Sequence, residues 1–272
     1  MHIGFVDETL YQGDLLYTPL HKEWYYDVII TNIAVDDKSL GMDCKEYNFD
    51  KTIVDSGTTN FRLPKRVFAA LLDKIKENLL FQEKDPPEGF WEGSEVLCWE
   101  RNMTPWMKFP YITLDLLHSG NSSFQIRISP QQYLRAVEDP EGDEDEECYK
   151  FAVSSSETGT ILGAVVMEGF YVVFDRQNKR VGFGETTCRN RDVFGPTSRV
   201  SGPFPFNGDA YDCGYNHPAS SQSPLMIAAY VMAGICVLCL LPLLFLIIHC
   251  QIRRFLNRRR RNSDRGGLLP ES

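Results

Sequence analysis

Between Leu225 and Ile248 the chain reads LMIAAYVMAGICVLCLLPLLFLII, about 24 residues without a charge. No other stretch restricts the possible folds as much. As a helix rising about 1.5 Å per residue it spans about 36 Å, more than the ~30 Å hydrocarbon core of a bilayer. A buried helix of a soluble core is the competing explanation, but such a helix keeps a polar face and this run has none. The run therefore predicts a transmembrane helix, with Pro242 as a candidate kink. Arg253, Arg254 and Arg258 to Arg261 follow directly. Basic residues flank the cytosolic end of a span, so the C-terminus is expected in the cytosol and residues 1–224 in the lumen or outside. That is single-pass type I topology, with the membrane as the first partner.

The formal net charge of -9 hides an asymmetry, because everything before Leu225 is markedly acidic. An acidic body argues against a nucleic-acid partner. The start, MHIGFVDETLYQG, has neither a basic n-region nor an apolar h-region. A luminal domain needs a signal, so Met1 is expected not to be the true start. The luminal part holds five cysteines, Cys44, Cys98, Cys148, Cys188 and Cys213. In an oxidising compartment that odd number leaves one free, paired between molecules, or paired with a residue upstream. Cys236, Cys239 and Cys250 lie in or beside the predicted span. No cysteine or histidine spacing suggests zinc, so no metal and no cofactor are expected. Asn102 and Asn121 open N-x-[ST] sequons, which suit a secreted surface; a proline after the Thr weakens the first.

The luminal region reads mostly as strands. Tyr25 to Val35 is β-branched and aromatic, with an Asp-Asp turn after it. Leu63 to Leu79 offers a helix, with a proline at its start and Val67, Phe68, Leu71, Leu72 and Ile75 at helical spacing. Further strands are predicted around 111–117, 124–128, 149–153, 160–166, 170–174 and 180–183. The acidic run 138–147 reads as a solvated loop. Residues 198–224, rich in Ser, Pro, Gly and Asn, read as a stalk. The expected organisation is a luminal domain over 1–197, the stalk, the span over 225–248 and a cytosolic tail over 249–272.

The chemistry concentrates in Thr52-Ile53-Val54-Asp55-Ser56-Gly57-Thr58-Thr59. A short apolar strand delivers Asp55 into a tight turn. Gly57 removes a side chain that would crowd a backbone or a water, and Thr58 offers a hydroxyl to the carboxylate. About a hundred residues on come Ile161-Leu162-Gly163, then Phe170 to Asp175 (FYVVFD) and Arg180 to Phe183 (RVGF). Two apolar residues and a glycine would pack beside the Asp55 turn, the glycine allowing close approach. Either signature alone is weak; the two together are specific.

With these motifs in place, Trp24 to Phe183 resembles the C-terminal lobe of pepsin-like aspartic proteases. EWYYDVIITNIAV, TPWMKFPYITL, PQQYLR, MEGFYVVFDRQNKRVGF and DCGYN narrow the resemblance to the membrane-anchored β-secretase family. The resemblance implies a mainly β fold, one lobe of the pepsin-like pair, followed by one transmembrane helix. It identifies Asp55 as one of two catalytic carboxylates. It places Gly57, Thr58 and Thr59 against a peptide substrate, and Tyr25, Lys51 and Arg62 along the cleft. It pairs Cys44 with Cys213 and Cys98 with Cys148, and sends Cys188 to an upstream cysteine. Asp55-Ser56-Gly57 is the sequence's only Asp-[Ser/Thr]-Gly, so the second aspartate and the flap are expected from an N-terminal lobe. Activity through the dyad would then need that lobe as a partner.

The substrates implied are peptide segments of membrane-protein ectodomains, and the setting is the cell surface, Golgi and endosomes. In the tail, Asp264 four residues before Leu268 and Leu269 resembles an acidic dileucine signal for clathrin adaptors. Cys250, beside Arg253 and Arg254, is a candidate for S-acylation. Three other readings compete: a non-catalytic membrane-tethered module, a homodimer in which each chain donates one Asp55, and a structural ectodomain with no active-site ancestry, against which the paired signatures weigh.

Overall fold

The computed structural model describes residues 2–79, 86–100, 105–137, 146–187, 198–206, 210–214 and 224–265. They divide into two compact units, residues 1–216 and 217–272. The first is mainly β. It runs β1 (Tyr11–Pro19), β2 (Ile30–Val35), β3 (Lys38–Ser39), α1 (Cys44–Tyr47), β4 (Thr52–Val54) and β5 (Phe61–Pro64). Next come α2 (Lys65–Glu77), α3 (Glu88–Trp91), β6 (Leu97–Glu100), β7 (Ile112–Ser119), β8 (Ser122–Ile128), α4 (Pro130–Tyr133) and β9 (Leu134–Val137). β10 (Glu146–Phe151), β11 (Val153–Ser156), β12 (Thr160–Leu162), α5 (Ala164–Met167), β13 (Phe170–Asp175), β14 (Arg180–Thr186) and β15 (Arg199–Pro205) complete it.

Four sheets result, ordered β1-β14-β13, β6-β10-β9, β11-β5-β12-β4 and β15-β8-β7-β2-β3. The largest is antiparallel and follows the alternation of its residues. Ile112, Leu114 and Leu116 on β7 and Phe124, Ile126 and Ile128 on β8 are buried, and polar residues take the intervening positions. α2 lays Val67, Leu71 and Ile75, spaced four apart, into the same hydrophobic cluster. Phe90, Trp91, Phe109, Tyr133 and Phe151 extend that cluster with edge-on and tilted ring contacts. The four-stranded sheet differs from the rest. It mixes parallel and antiparallel pairs, β4 running parallel to β12 and β5 parallel to β11. Its two central loops therefore meet at one end, and that is where Asp55 sits.

Four stretches depart from the strand and helix pattern expected of them. Tyr25–Ile29 is not part of β2; it turns and bridges to β4, Val28 N–H donating to Thr52 O at 2.8 Å and Val54 N–H to Tyr26 O at 3.0 Å. Residues 63 and 64 belong to β5, and Pro64 caps α2 from outside because its fixed φ suits the preceding extended backbone. The apolar run 160–166 breaks at Gly163 into a strand and a helical turn. Arg199–Pro205, placed by composition in a stalk, pairs with β8 as an edge strand, where its prolines cost least.

Two disulfides tie the unit together. Cys44–Cys213 joins α1 to the short 3-10 helix Ala210–Cys213, and Cys98–Cys148 crosses the β6–β10 pair. Both are the pairings the family resemblance implied. Cys188 and Asn102 lie outside the described residues.

The second unit contains α6 (Pro224–Arg265), a helix of 42 residues with Pro242 inside it. Its segment Ala228–Leu256 is, among the described residues, the one helix long and apolar enough to cross a membrane. Its large apolar side chains are exposed, Leu238 at 70% and Phe245 at 69%. The helix does not stop at Ile248 but continues through the arginines, which are good helix formers.

Candidate active site

Asp55 follows β4 directly, and its N–H extends the ladder to β12 by donating to Leu162 O at 3.1 Å. The chain then turns back on itself. Gly57 N–H donates to Asp55 Oδ1 at 2.9 Å, and the Thr58 hydroxyl donates to Oδ2 at 2.7 Å. Each carboxylate oxygen thus has a donor from within three residues, which fixes the plane of the group. The residue is half-buried.

The opposite loop locks this turn. Ala164 N–H donates to Thr58 O at 2.8 Å and Val165 N–H to Thr59 O at 3.1 Å. Gly163 lies so close that a Cβ there would stand 2.3 Å from Asn60 O, 2.6 Å from Thr58 O and 2.9 Å from Thr59 O. Its role is space rather than backbone freedom, as its φ of -80° is open to any residue. Behind β4, the Thr52 hydroxyl donates to Asn48 Oδ1 at 2.8 Å and the Thr160 hydroxyl to Tyr47 O at 2.6 Å. Asn48 itself binds both the N–H and the C=O of Ile30. The buried Asn48, Thr52 and Thr160 side chains are thus all paired, as the cost of leaving such groups unsatisfied favours.

The other residues singled out in the sequence are distributed around this loop. Gly57 and Thr59 are exposed beside Asp55, whereas the Thr58 hydroxyl and the Thr58 and Thr59 carbonyls are committed to the fold. Arg62 is exposed on β5, in register with Ile161 and Ser154. Tyr25 is 48% exposed with its ring against Trp24, in the turn that precedes the antiparallel bridge between Asp27 and Ile53. Lys51 is not beside the carboxylate. It precedes β4, about 13 Å away at about 3.3 Å per residue, and its ammonium lies 3.3 Å from Asp50 Oδ2. Asn121 is exposed at the β7–β8 turn, and Cys250 is exposed on α6. Asp264 falls within α6, while Leu268 and Leu269 lie outside the described residues.

One residue of this neighbourhood was hidden in the sequence. Asp27 is 2% exposed and sits directly behind β4. Its Oδ1 accepts from Thr52 N–H at 3.3 Å, but Oδ2 has no hydrogen-bond partner among the described residues, and neither has His21 Nε2. Both line a small cavity with Lys22, Asn48, Asp50, Lys51 and Gly214. Burial pushes the Asp27 carboxyl above its ordinary pKa, against the opposing pull of the Thr52 N–H and of the charges on His21, Lys22 and Lys51. A charge inside the β-branched run 25–35 was the available signal.

A carboxylate held this rigidly at a loop crossing can bind a water and move one proton, but it cannot be base and acid at once. The family profile for eukaryotic aspartyl proteases matches residues 1–186. The chain is 45% identical to a beta-secretase of Strongylocentrotus purpuratus, over 96% of its own length and 50% of that protein. It is 27% identical to a gastricsin of Cavia porcellus, over 66% of this chain and 40% of that one. With a cathepsin D of Dictyostelium discoideum it shares 27% identity over 67% of this chain and 42% of the relative. It thus spans half or less of the length of these curated relatives. The matched profile, the identity to a beta-secretase along nearly the whole chain and the interlocked Asp55 loop agree, and this chain belongs to the eukaryotic aspartyl proteases as a β-secretase-like member.

Proposed function

We propose that the chain supplies the C-terminal half of the catalytic machinery of a membrane-tethered aspartic endopeptidase, with Asp55 as one member of a carboxylate dyad. The observation that carries this is Asp55 itself, held by Gly57 and Thr58 in a loop that Gly163 lets the opposite strand grip. The second carboxylate would come from an N-terminal lobe, to which Cys188 would bridge. Two carboxylates a few ångströms apart cannot both ionise, so they share one proton. The ionised member would deprotonate a water attacking the scissile carbonyl, and the protonated member would donate to the carbonyl oxygen.

Arg62, exposed on the strand that the loop leads into, would favour polar or acidic substrate side chains, since a guanidinium pairs two-pronged with a carboxylate. The substrates proposed are ectodomain segments of membrane proteins, cut on the luminal side, with α6 as the anchor. Asp264, Leu268 and Leu269 would engage clathrin adaptors and carry the protein from the surface to endosomes. Unchanged surface uptake after Leu268→Ala with Leu269→Ala would remove that part of the reading.

The test is reconstitution. The luminal unit alone is expected to show no peptidase activity. Adding an N-terminal lobe from a beta-secretase, with its own Asp-Thr-Gly, is expected to give activity at mildly acidic pH with a bell-shaped profile belonging to the pair. Asp55→Asn abolishes it and leaves the fold intact. Activity that survives Asp55→Asn would defeat the assignment. Cleavage by the unit alone that disappears on dilution would favour the homodimer.

A further inference from the structure

α6 does not end where its apolar run ends. It is one continuous helix from Pro224 to Arg265, and the segment apolar enough for a bilayer closes at Leu256. Beyond Ile248 the chain carries seven arginines and two acidic residues, Asp264 and Glu271. A cluster that only fixed orientation could sit in any order. Here Arg254, Arg258, Arg261 and Arg265 are spaced four, three and four residues apart. At about 3.6 residues per turn that spacing returns to one face of the helix each time. Ile252 and Leu256, both exposed, fall on the other side.

We infer that the stripe Arg254–Arg258–Arg261–Arg265 is a binding surface for polyanionic lipid headgroups of the bilayer that α6 enters. The inference rests on the reading of α6 as a membrane span. Four arginine positions at helical spacing cover about 16 Å of the helix at about 1.5 Å per residue, a placement that follows from the continuous helical backbone. Guanidinium matches phosphate oxygens two-pronged, so a headgroup bearing several phosphates gains more than one with a single diester. The stripe begins inside the last turns of the apolar segment, which sets it at headgroup depth, where anionic lipid is concentrated and screening is weakest. Asp264 is the only acid on the helical stretch.

The full chain is first reconstituted in liposomes and extracted with alkaline carbonate. It is then placed in nanodiscs of phosphatidylcholine with a small fraction of phosphatidylinositol bisphosphate, and the lipid retained per chain on release into nonionic detergent is counted by native mass spectrometry. The expected result is selective retention of the bisphosphate lipid, falling as salt rises. Changing all four stripe arginines to Gln should lower retention about tenfold or more, given about fivefold per basic residue at an anionic surface. Changing Arg253, Arg259 and Arg260 to Gln should cost much less. Equal losses in the two variants, or an inserted chain that retains no excess bisphosphate lipid, would overturn the inference alone. Carbonate extraction of the chain would overturn the span and the inference with it.

Discussion

The Thr58 hydroxyl donates to Asp55 Oδ2 at 2.7 Å. That bond comes from a side chain three residues on, whose own carbonyl is held by Ala164. The orientation of the carboxylate therefore depends on the register between two loops from distant parts of the sequence. In the reconstituted enzyme Thr58→Ala is expected to lower kcat/KM by about tenfold to hundredfold, the range for one hydrogen bond to a charged group. Thr58→Ser keeps the donor and should recover most of the loss. Steady-state kinetics on both variants decides it, and equal impairment would mean that the methyl group matters and the hydroxyl does not.

Gly163 is tested through stability. Its Cβ position lies under 3.0 Å from three backbone carbonyl oxygens, none of which can swing away. Gly163→Ala should destabilise residues 1–216 by about 1–3 kcal/mol or more, as forced overpacking does. At Gly57 the nearest atom to a Cβ is Asp55 Oδ1 at 3.2 Å, a side-chain atom that can adjust. Gly57→Ala should therefore cost less stability and more activity. Urea unfolding of the two variants separates them, and the reverse order would place the close approach elsewhere.

The contrast between these glycines also shows what was legible beforehand. The Asp55 turn could be read because its donors are local, within three residues. The alternation of Ile112, Leu114 and Leu116 could be read because one face of β7 is buried throughout. The break at Gly163 could not, since an apolar run of strand length looks the same whether or not it turns. Tyr25–Ile29 reads as strand for a similar reason, because its partner is β4 and pairing is not written locally. Arg199–Pro205 carries a stalk's composition but finds an open edge on β8. Asp27 is not legible in the sequence because burial of one charge depends on what surrounds it, here β4 and Gly214.

The disulfides give a prediction independent of catalysis. Cys98–Cys148 crosses a two-strand pair and closes a loop with a sequence separation of 50. Its loss through Cys98→Ser should destabilise residues 1–216 by about 2–5 kcal/mol and lower their yield as a secreted fragment. In denatured, unreduced residues 1–216 only Cys188 should react with a maleimide. Mass mapping that finds two or more labelled cysteines would contradict the pairing.

Asp27 makes the stability of the unit depend on pH, and the sign follows from its burial. Its folded pKa is raised above the ordinary 3.8, chiefly by loss of solvent. The folded state thus holds this proton more tightly than the unfolded chain does. The stability it contributes is fully present below 3.8 and is lost as pH rises through the raised folded value. His21, Lys22 and Lys51 pull the other way from around the same cavity, and Asp50 also faces it. Asp27→Asn keeps the shape, removes the charge and can still accept from the Thr52 N–H. It should flatten the stability profile over the window above 3.8 and be at least as stable as the parent at neutral pH. Thermal unfolding of residues 1–216 between acidic and neutral pH reads this directly. A variant that keeps the parent's slope would move the pH dependence to a half-buried acid, Asp115 or Glu168, whose carboxyls desolvation also raises.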